Sequence, residues 1–216
     1  MLVIMLKYLF FLLIIRPFIF LVLGVNVRNL KTLPQDGPAI IVANHNSHID
    51  TLLLMSLFSV NKINKIRPVA AADYFCNTKF KKFFFEKLIG IIPIERKISK
   101  ENISSLFDGI FKALDNNEII IIYPEGTRGN DNKISEFKSG VAHIAKAYPN
   151  VPVIPIFING PDKILPKIDA ILVPFISDVY IGEPMFYNNK STLNFTKEIK
   201  EKVFELKALH TKKETL

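Results

Sequence analysis

Short apolar runs rich in isoleucine and valine recur along the chain, and they constrain its fold more than any other feature. Five of them are "PAIIVANH", "IRPVAAAD", "GIIPIER", "NEIIIIYPEG" and "VPVIPIFING". Runs of this length and composition are typical of strands that are buried on both faces. Helical stretches are predicted between them, at about residues 50–59, 77–88, 99–116 and 136–148. The alternation predicts an α/β fold with a mainly parallel, mixed sheet flanked by helices.

No linker or shift in composition divides the chain after residue 30. The stretch "ILVPFISDVYIGEP" predicts one or two less regular strands, because prolines interrupt it, and residues 191–210 predict a closing amphipathic helix. A chain of 216 residues is long enough for one domain with a full core. We therefore expect one α/β domain at residues 29–216, preceded by an N-terminal helical segment at residues 1–28.

The first 24 residues are almost wholly apolar, and Lys7 and Arg16 carry the only charged side chains among them. A signal peptide fits poorly, because no cleavage site of small residues follows. Pro17 disfavours helical geometry at the residue before it, which favours two short helices that bend at this point and dip into one leaflet. A single transmembrane span with Arg16 reaching the interface is the alternative. Both arrangements predict association with a membrane.

Positive charge is concentrated in one part of the chain. The formal net charge is +8, and residues 61–100 contain ten lysines and arginines against three acidic residues. Such a basic region predicts an anionic partner, which could be phosphate, nucleic acid or an acidic membrane. The chain has one cysteine, which excludes an internal disulfide.

The segment "NHNSHID" follows the first of the predicted strands. Ser47 and Asp50 fit a capping box that opens the next helix, and this interpretation requires neither histidine. If Ser47 is the N-cap, His45 lies in the incoming loop and can meet Asp50. His48 lies two residues from Asp50 in the same helix, and residues at that spacing do not face each other. His45 is therefore the candidate base, Asp50 its orienting carboxylate, and His48 a bystander.

The sequence offers little support for a nucleophile or a metal site. The motifs G-x-S-x-G and H-E-x-x-H are both absent. A histidine–aspartate pair without a serine or cysteine nucleophile favours direct activation of a substrate hydroxyl as general base.

The segment "YPEGTRG" follows the fourth predicted strand. Gly126 permits a tight turn that exposes backbone N–H groups, and Arg128 has the planar fork that suits phosphate. A structural ion pair between Glu125 and Arg128 is the alternative. Arg96 ends the run "GIIPIER" and adds a second cation. Because the carboxyl ends of parallel strands share one edge of a sheet, these segments are expected to converge with His45.

Taken in order, these segments resemble the blocks of the glycerolipid acyltransferase family, most closely its 1-acyl-glycerol-3-phosphate acyltransferases. The blocks H-x4-D, G-x-x-x-I-x-R, P-E-G-T-R and V-P-x-x-P match "HNSHID", "GIIPIER", "PEGTR" and "VPVIP", and "FKSG" resembles a further downstream block. Tyr123 and Gly129 depart from the phenylalanine and serine that are commoner beside the third block. The resemblance covers residues 44–156, about half of the chain.

The resemblance implies transfer of an acyl group from an acyl carrier protein or coenzyme A thioester to the sn-2 hydroxyl of lysophosphatidic acid, in phospholipid biosynthesis. His45 and Asp50 would form the general-base pair. The residues that would bind the acceptor's phosphate are Arg96, Glu125, Gly126, Thr127 and Arg128. No metal, cofactor or nucleic acid is expected.

The same resemblance implies a place at the inner (cytoplasmic) membrane surface, with the catalytic domain facing the cytoplasm. Three alternatives stay open on the residues alone. They are an acyltransferase for another lysolipid, a lipid hydrolase, and a non-catalytic basic protein associated with a membrane or nucleic acid.

Overall fold

A computed structural model of the chain describes residues 2–72, 83–95, 105–127, 134–160 and 177–214. This part of the chain forms a seven-stranded sheet with the order β1-β7-β6-β2-β5-β3-β4. The described neighbouring strands run parallel, except that β6 and β7 are antiparallel. The predicted mainly parallel, mixed sheet is confirmed. The strands are β1 (Val25–Arg28), β2 (Ala39–Ala43), β3 (Ile66–Ala71), β4 (Ile92–Ile94), β5 (Ile119–Ile122), β6 (Val153–Asn159) and β7 (Ser177–Ile181).

Helices connect the strands and cover the sheet. The α-helices are α1 (Leu2–Phe10), α2 (His48–Ser56), α3 (Asp108–Asp115), α4 (Gly140–Ala147) and α5 (Thr192–Glu214). Short 3₁₀ turns occur at Leu30–Thr32, Val60–Lys65 and Ser105–Phe107, and π turns occur at Phe11–Ile15, Phe18–Leu23 and Phe84–Ile89. The helices predicted at about 77–88 and 99–116 fall partly outside the described residues.

Each face of the sheet has its own hydrophobic core, as strands buried on both sides require. Successive residues of a strand point to opposite faces. In β2, Ile41 therefore packs in a cluster with side chains of α2 and of the helical residues 11–23, whereas Ile40 and Val42 pack in a cluster with α3, α4 and α5. The fold is a sheet between two helical layers.

The N-terminal helix is continuous from residue 2 to residue 23, so the prediction of two separate short helices is wrong. A π turn precedes the proline, and the N–H of Arg16 donates to the carbonyl of Phe11, five residues back. In a regular α-helix the ring of Pro17 would clash with the carbonyl oxygen four residues earlier, and the wider π turn leaves room for it. The Arg16 side chain is satisfied as well, because its Nη1 donates to the carbonyl oxygen of Phe58 at 2.8 Å.

One stripe of this helix completes the core, and its outer face remains apolar and exposed. Phe11, Ile15, Ile19 and Leu23 recur every four residues, and each is at most 7% exposed. On the outer side, leucines such as Leu13 are open to solvent. The helix therefore has an apolar face toward the domain and a second apolar face that no described residue covers.

The stretch Leu2–Leu21 is the one described helix that is long and apolar enough to cross a membrane. The helical part of the N-terminal segment ends at Leu23, and Val25–Arg28 form an edge strand that pairs with β7. The predicted N-terminal segment, residues 1–28, is therefore helical only in part. Its last four residues belong to the sheet.

Two substitutions on the same helix test this orientation. Ile19→Ala should lower the free energy of unfolding by about 2–5 kcal/mol, because it leaves a cavity in the core. Leu21 is 83% exposed, and Leu21→Ala should change stability by less than about 0.5 kcal/mol. Denaturant unfolding of the detergent-solubilised protein measures both. Equal effects of the two substitutions would contradict the assignment of the inward stripe.

Candidate active site

The predicted site residues that the structure describes lie at the carboxyl ends of the central strands. His45 follows β2, and Glu125 follows the neighbouring strand β5. Asn44 fixes the end of β2 on its other side: its Nδ2 donates to the Ile158 carbonyl at 2.9 Å, and its Oδ1 accepts from the Ile158 N–H at 2.8 Å. The side chain of Asn44 thus continues the ladder with β6 beyond the last residue of β2.

Asp50 organises the loop between β2 and α2. It is 1% exposed, and its Oδ2 accepts from the backbone N–H groups of Asn46 at 2.7 Å and Ser47 at 2.8 Å. The same oxygen lies 3.1 Å from Nδ1 of His45. Ser47 is the N-cap of α2, and the predicted capping box is present. Asp50 therefore caps α2, as predicted, and the same carboxylate also contacts the imidazole of His45.

The contact with Asp50 sets the tautomer of His45. A carboxylate accepts hydrogen bonds, so the proton of the neutral imidazole lies on Nδ1. Nε2 is then left with a lone pair, which is the form that a general base requires. The His45 side chain is 17% exposed, so the ring is mostly enclosed without being sealed from solvent.

Tyr123 supports the other side of the imidazole. Its ring stacks on that of His45, with the centroids 4.0 Å apart and the planes inclined by 17°. Its hydroxyl lies 3.0 Å from Oγ1 of Thr51, in the first turns of α2. Burial and the nearby Asp50 carboxylate raise the pKa of Tyr123 well above its usual value, and the hydrogen bond with Thr51 only partly opposes them. The phenol therefore stays protonated and ties the end of β5 to α2.

The carboxylate of Glu125 joins three parts of the site. It is 3% exposed. Its Oε1 accepts from the backbone N–H of His45 at 2.9 Å, and its Oε2 accepts from the N–H of Ser135 at 2.8 Å. The next residue, Gly126, has φ +71° and its N–H donates to the carbonyl of Tyr123. A positive φ favours glycine, which is why the turn can close at this residue.

The structure brings together His45, Asp50, Glu125 and Gly126, and Thr127 lies exposed at the end of the turn. Arg96 and Arg128 lie outside the described residues, so phosphate binding by the predicted set stays a prediction. The sequence interpretation assigned no role to Asn44, Thr51, Tyr123 or Ser135. Asn44 and Tyr123 each directly follow a buried apolar run, and that position was the available signal. Nothing in the local pattern marks Thr51 or Ser135.

The contacts of Glu125 generate a stability prediction. Glu125→Gln replaces one acceptor oxygen by an NH₂ group, which cannot accept from a backbone N–H. We expect a loss of about 1–3 kcal/mol in the free energy of unfolding, since one of two partly buried backbone N–H groups loses its acceptor. Glu136→Gln is the matched control, because the Glu136 side chain is 91% exposed and pairs with Lys200 at the surface. Equal melting temperatures for the two variants would contradict a stabilising role for the hydrogen bonds that Glu125 accepts from His45 and Ser135.

Comparison with known proteins places the chain in a family. The family model described as Acyltransferase matches residues 24–159, more than half of the chain. The chain is 29% identical over 148 residues to a chloroplastic 1-acyl-sn-glycerol-3-phosphate acyltransferase of Arabidopsis thaliana, covering 66% of this chain and 38% of that protein. It is 32% identical over 133 residues to a probable 1-acyl-sn-glycerol-3-phosphate acyltransferase of Mycoplasma genitalium, covering 61% and 47%.

A solved structure supports the same fold. The crystal structure of the 1-acyl-sn-glycerophosphate (LPA) acyltransferase PlsC from Thermotoga maritima superposes with a TM-score of 0.66 at 23% identity, covering 86% of this chain and 72% of that one. The chain spans less than half the length of the two sequence relatives. On the match over residues 24–159, which contains both the histidine–aspartate pair and the Glu125 turn, this chain belongs to the acyltransferase family.

Proposed function

We propose that this protein transfers a fatty acyl group from an acyl thioester to the sn-2 hydroxyl of lysophosphatidic acid, which yields phosphatidic acid. The observation that carries the proposal is the contact of 3.1 Å between Nδ1 of His45 and Oδ2 of Asp50, at the carboxyl edge of the sheet. Membership of the acyltransferase family supports the reaction class. The names of the sequence relatives support the acceptor.

The residues of this site suit a direct transfer. Nε2 of His45 takes the proton of the acceptor hydroxyl while its oxygen attacks the thioester carbonyl. Asp50 holds the ring and stabilises the imidazolium that forms. When the tetrahedral intermediate collapses, the carbon–sulfur bond breaks, and the thiolate recovers the proton from His45. Both substrates must be bound at the same time, because no enzyme nucleophile takes part.

The donor is proposed to be the thioester of an acyl carrier protein or of coenzyme A. Arg96 and Arg128 are proposed to bind the acceptor's phosphate, together with the turn at residues 125–127. A phosphate monoester carries close to two negative charges near neutral pH, and guanidinium groups bind it through paired hydrogen bonds. This charge favours lysophosphatidic acid over lysolipids with a choline or ethanolamine head.

A panel of acceptors with both donors tests the reaction. The purified protein should form phosphatidic acid from lysophosphatidic acid faster than it acylates lysophosphatidylcholine or lysophosphatidylethanolamine. His45→Ala should lower kcat by about 10²–10⁴-fold, the usual effect of losing a general base. The sequence prediction for His48 is that His48→Ala keeps most of the activity. His143→Ala is the matched control, because His143 is exposed on α4.

Three outcomes would contradict parts of this proposal. If lysophosphatidylcholine or lysophosphatidylethanolamine were acylated as fast as lysophosphatidic acid, the proposed preference for a phosphate monoester would be excluded. The proposed acyltransferase activity would still stand. Release of free fatty acid without any acylated lipid would make the protein a hydrolase. Full activity of a folded His45→Ala variant would exclude His45 as the base.

We also propose that the outer face of the N-terminal helix rests in the membrane leaflet where the lipid substrates lie, at the inner membrane, with the catalytic domain facing the cytoplasm. The exposed leucines of this face support contact with a membrane leaflet, because a soluble protein rarely leaves such a continuous apolar surface open. The two charges of the segment do not oppose it. Lys7 is buried against the domain, and Arg16 is bonded to the Phe58 carbonyl.

Polar substitutions on this face test the attachment. The double variant Leu6→Asn with Leu13→Asn should bind liposomes about 10²- to 10⁴-fold more weakly, because each inserted leucine contributes about 1.5–3 kcal/mol. Leu193→Asn with Leu209→Asn is the matched control, since both leucines are exposed on α5. Co-sedimentation with liposomes measures binding, and melting temperatures check the fold. Unchanged binding of the first variant would shift the membrane contact to another part of the chain.

A further inference from the structure

Lys138, from the segment "FKSG", lies across the turn that follows β5, and no step of the proposed reaction uses it. A Cβ atom added to Gly126 would lie 2.7 Å from Nζ, 3.1 Å from Cε and 3.3 Å from Cδ of Lys138. The last three atoms of the Lys138 side chain therefore occupy the space that a side chain at position 126 would need. Any larger residue at position 126 would displace the ammonium from this place.

Backbone hydrogen bonds set the position of this lysine relative to the catalytic edge. The N–H of Lys138 donates to the Pro124 carbonyl at 2.9 Å, and the N–H of Ser135 donates to Oε2 of Glu125 at 2.8 Å. The other oxygen of the same carboxylate accepts from the N–H of His45. One buried side chain thus holds both the segment of Lys138 and the candidate base.

The ammonium of Lys138 has no acidic partner among the residues that the structure describes. The carboxylate of Glu125 is engaged by two backbone N–H groups. The nearby Glu136 pairs with Lys200 at 2.6 Å. An exposed cation with these neighbours, fixed over a turn at the catalytic edge, is suited to an anionic group of a substrate.

We propose that Lys138 binds a phosphate group of one of the two substrates. The inference rests on the proposed function, and it adds a contact to that reaction. Two sources supply the same chemistry: the phosphate monoester of the acceptor, and the phosphates of the phosphopantetheine or coenzyme A that carries the acyl group. A lysine ammonium is a compact point charge that binds phosphate without requiring a planar, bidentate arrangement.

The variant Lys138→Met removes the charge and retains the length of the apolar stem on Gly126. We expect it to raise KM about tenfold to a hundredfold for one phosphate-bearing substrate, with a smaller effect on kcat. Lys138→Arg should restore most of the affinity. Lys146→Met is the matched control, because Lys146 is an exposed lysine of the adjoining helix α4.

Substrates without phosphate identify the source. If the acceptor's phosphate is bound, the defect should vanish when monoacylglycerol replaces lysophosphatidic acid. If the donor's phosphate is bound, the defect of the Lys138→Met variant should vanish when acyl-N-acetylcysteamine replaces acyl coenzyme A. A defect of the same size with phosphate-free substrates, or KM values within twofold of wild type for both natural substrates, would overturn the proposal.

A binding measurement separates this proposal from the proposed reaction. Calorimetry with lysophosphatidic acid and with coenzyme A requires no turnover, so it reports on Lys138 even if wild-type protein forms no phosphatidic acid. Weaker binding of one of the two ligands to Lys138→Met, with the Lys146→Met variant unchanged, supports the phosphate contact. Unchanged Kd values for both ligands would overturn it, whatever the activity of the wild type.

Discussion

A single carboxylate oxygen, Oδ2 of Asp50, links the start of α2, the loop before it and the ring of His45. Burying a carboxylate is costly unless donors surround it, and here two backbone N–H groups and the positive end of a helix offset that cost. The oxygen that caps the helix is therefore also the one that orients the imidazole. The folding of α2 therefore also places the carboxylate that contacts the imidazole of the candidate base.

The residues that follow β5 also hold His45, through contacts of a different kind. Glu125 holds the backbone of His45, while Tyr123 stacks on its ring and reaches Thr51 in α2. His45 is thus fixed through its main chain, one ring nitrogen and one ring face, by residues from two neighbouring elements. Because the pKa of Tyr123 is raised by burial, its phenol remains a hydrogen-bond donor throughout the pH range in which a neutral histidine acts as a base.

The sequence predicts what depends on local composition and spacing, and misses what depends on distant partners. The apolar runs identify six of the seven described strands, and the spacing of Ser47 and Asp50 predicts the capping box. β1 is missed, because its four residues include two polar ones and it pairs with a strand about 150 positions later. The bond between Arg16 and Phe58, 42 residues apart, likewise depends on how the helices pack.

The N-terminal helix connects the proposed membrane contact with the proposed site of acyl transfer. Its inward stripe and α2 belong to the same core cluster, on one face of the sheet. The element that carries Asp50 is therefore packed beside the element whose outer face is apolar. A lysolipid whose chain lies in the leaflet against that outer face would keep its polar head at the membrane surface. The amphipathic shape of the proposed acceptor matches this pairing, because its acyl chain partitions into the leaflet that the apolar face contacts while its polar head stays in reach of water.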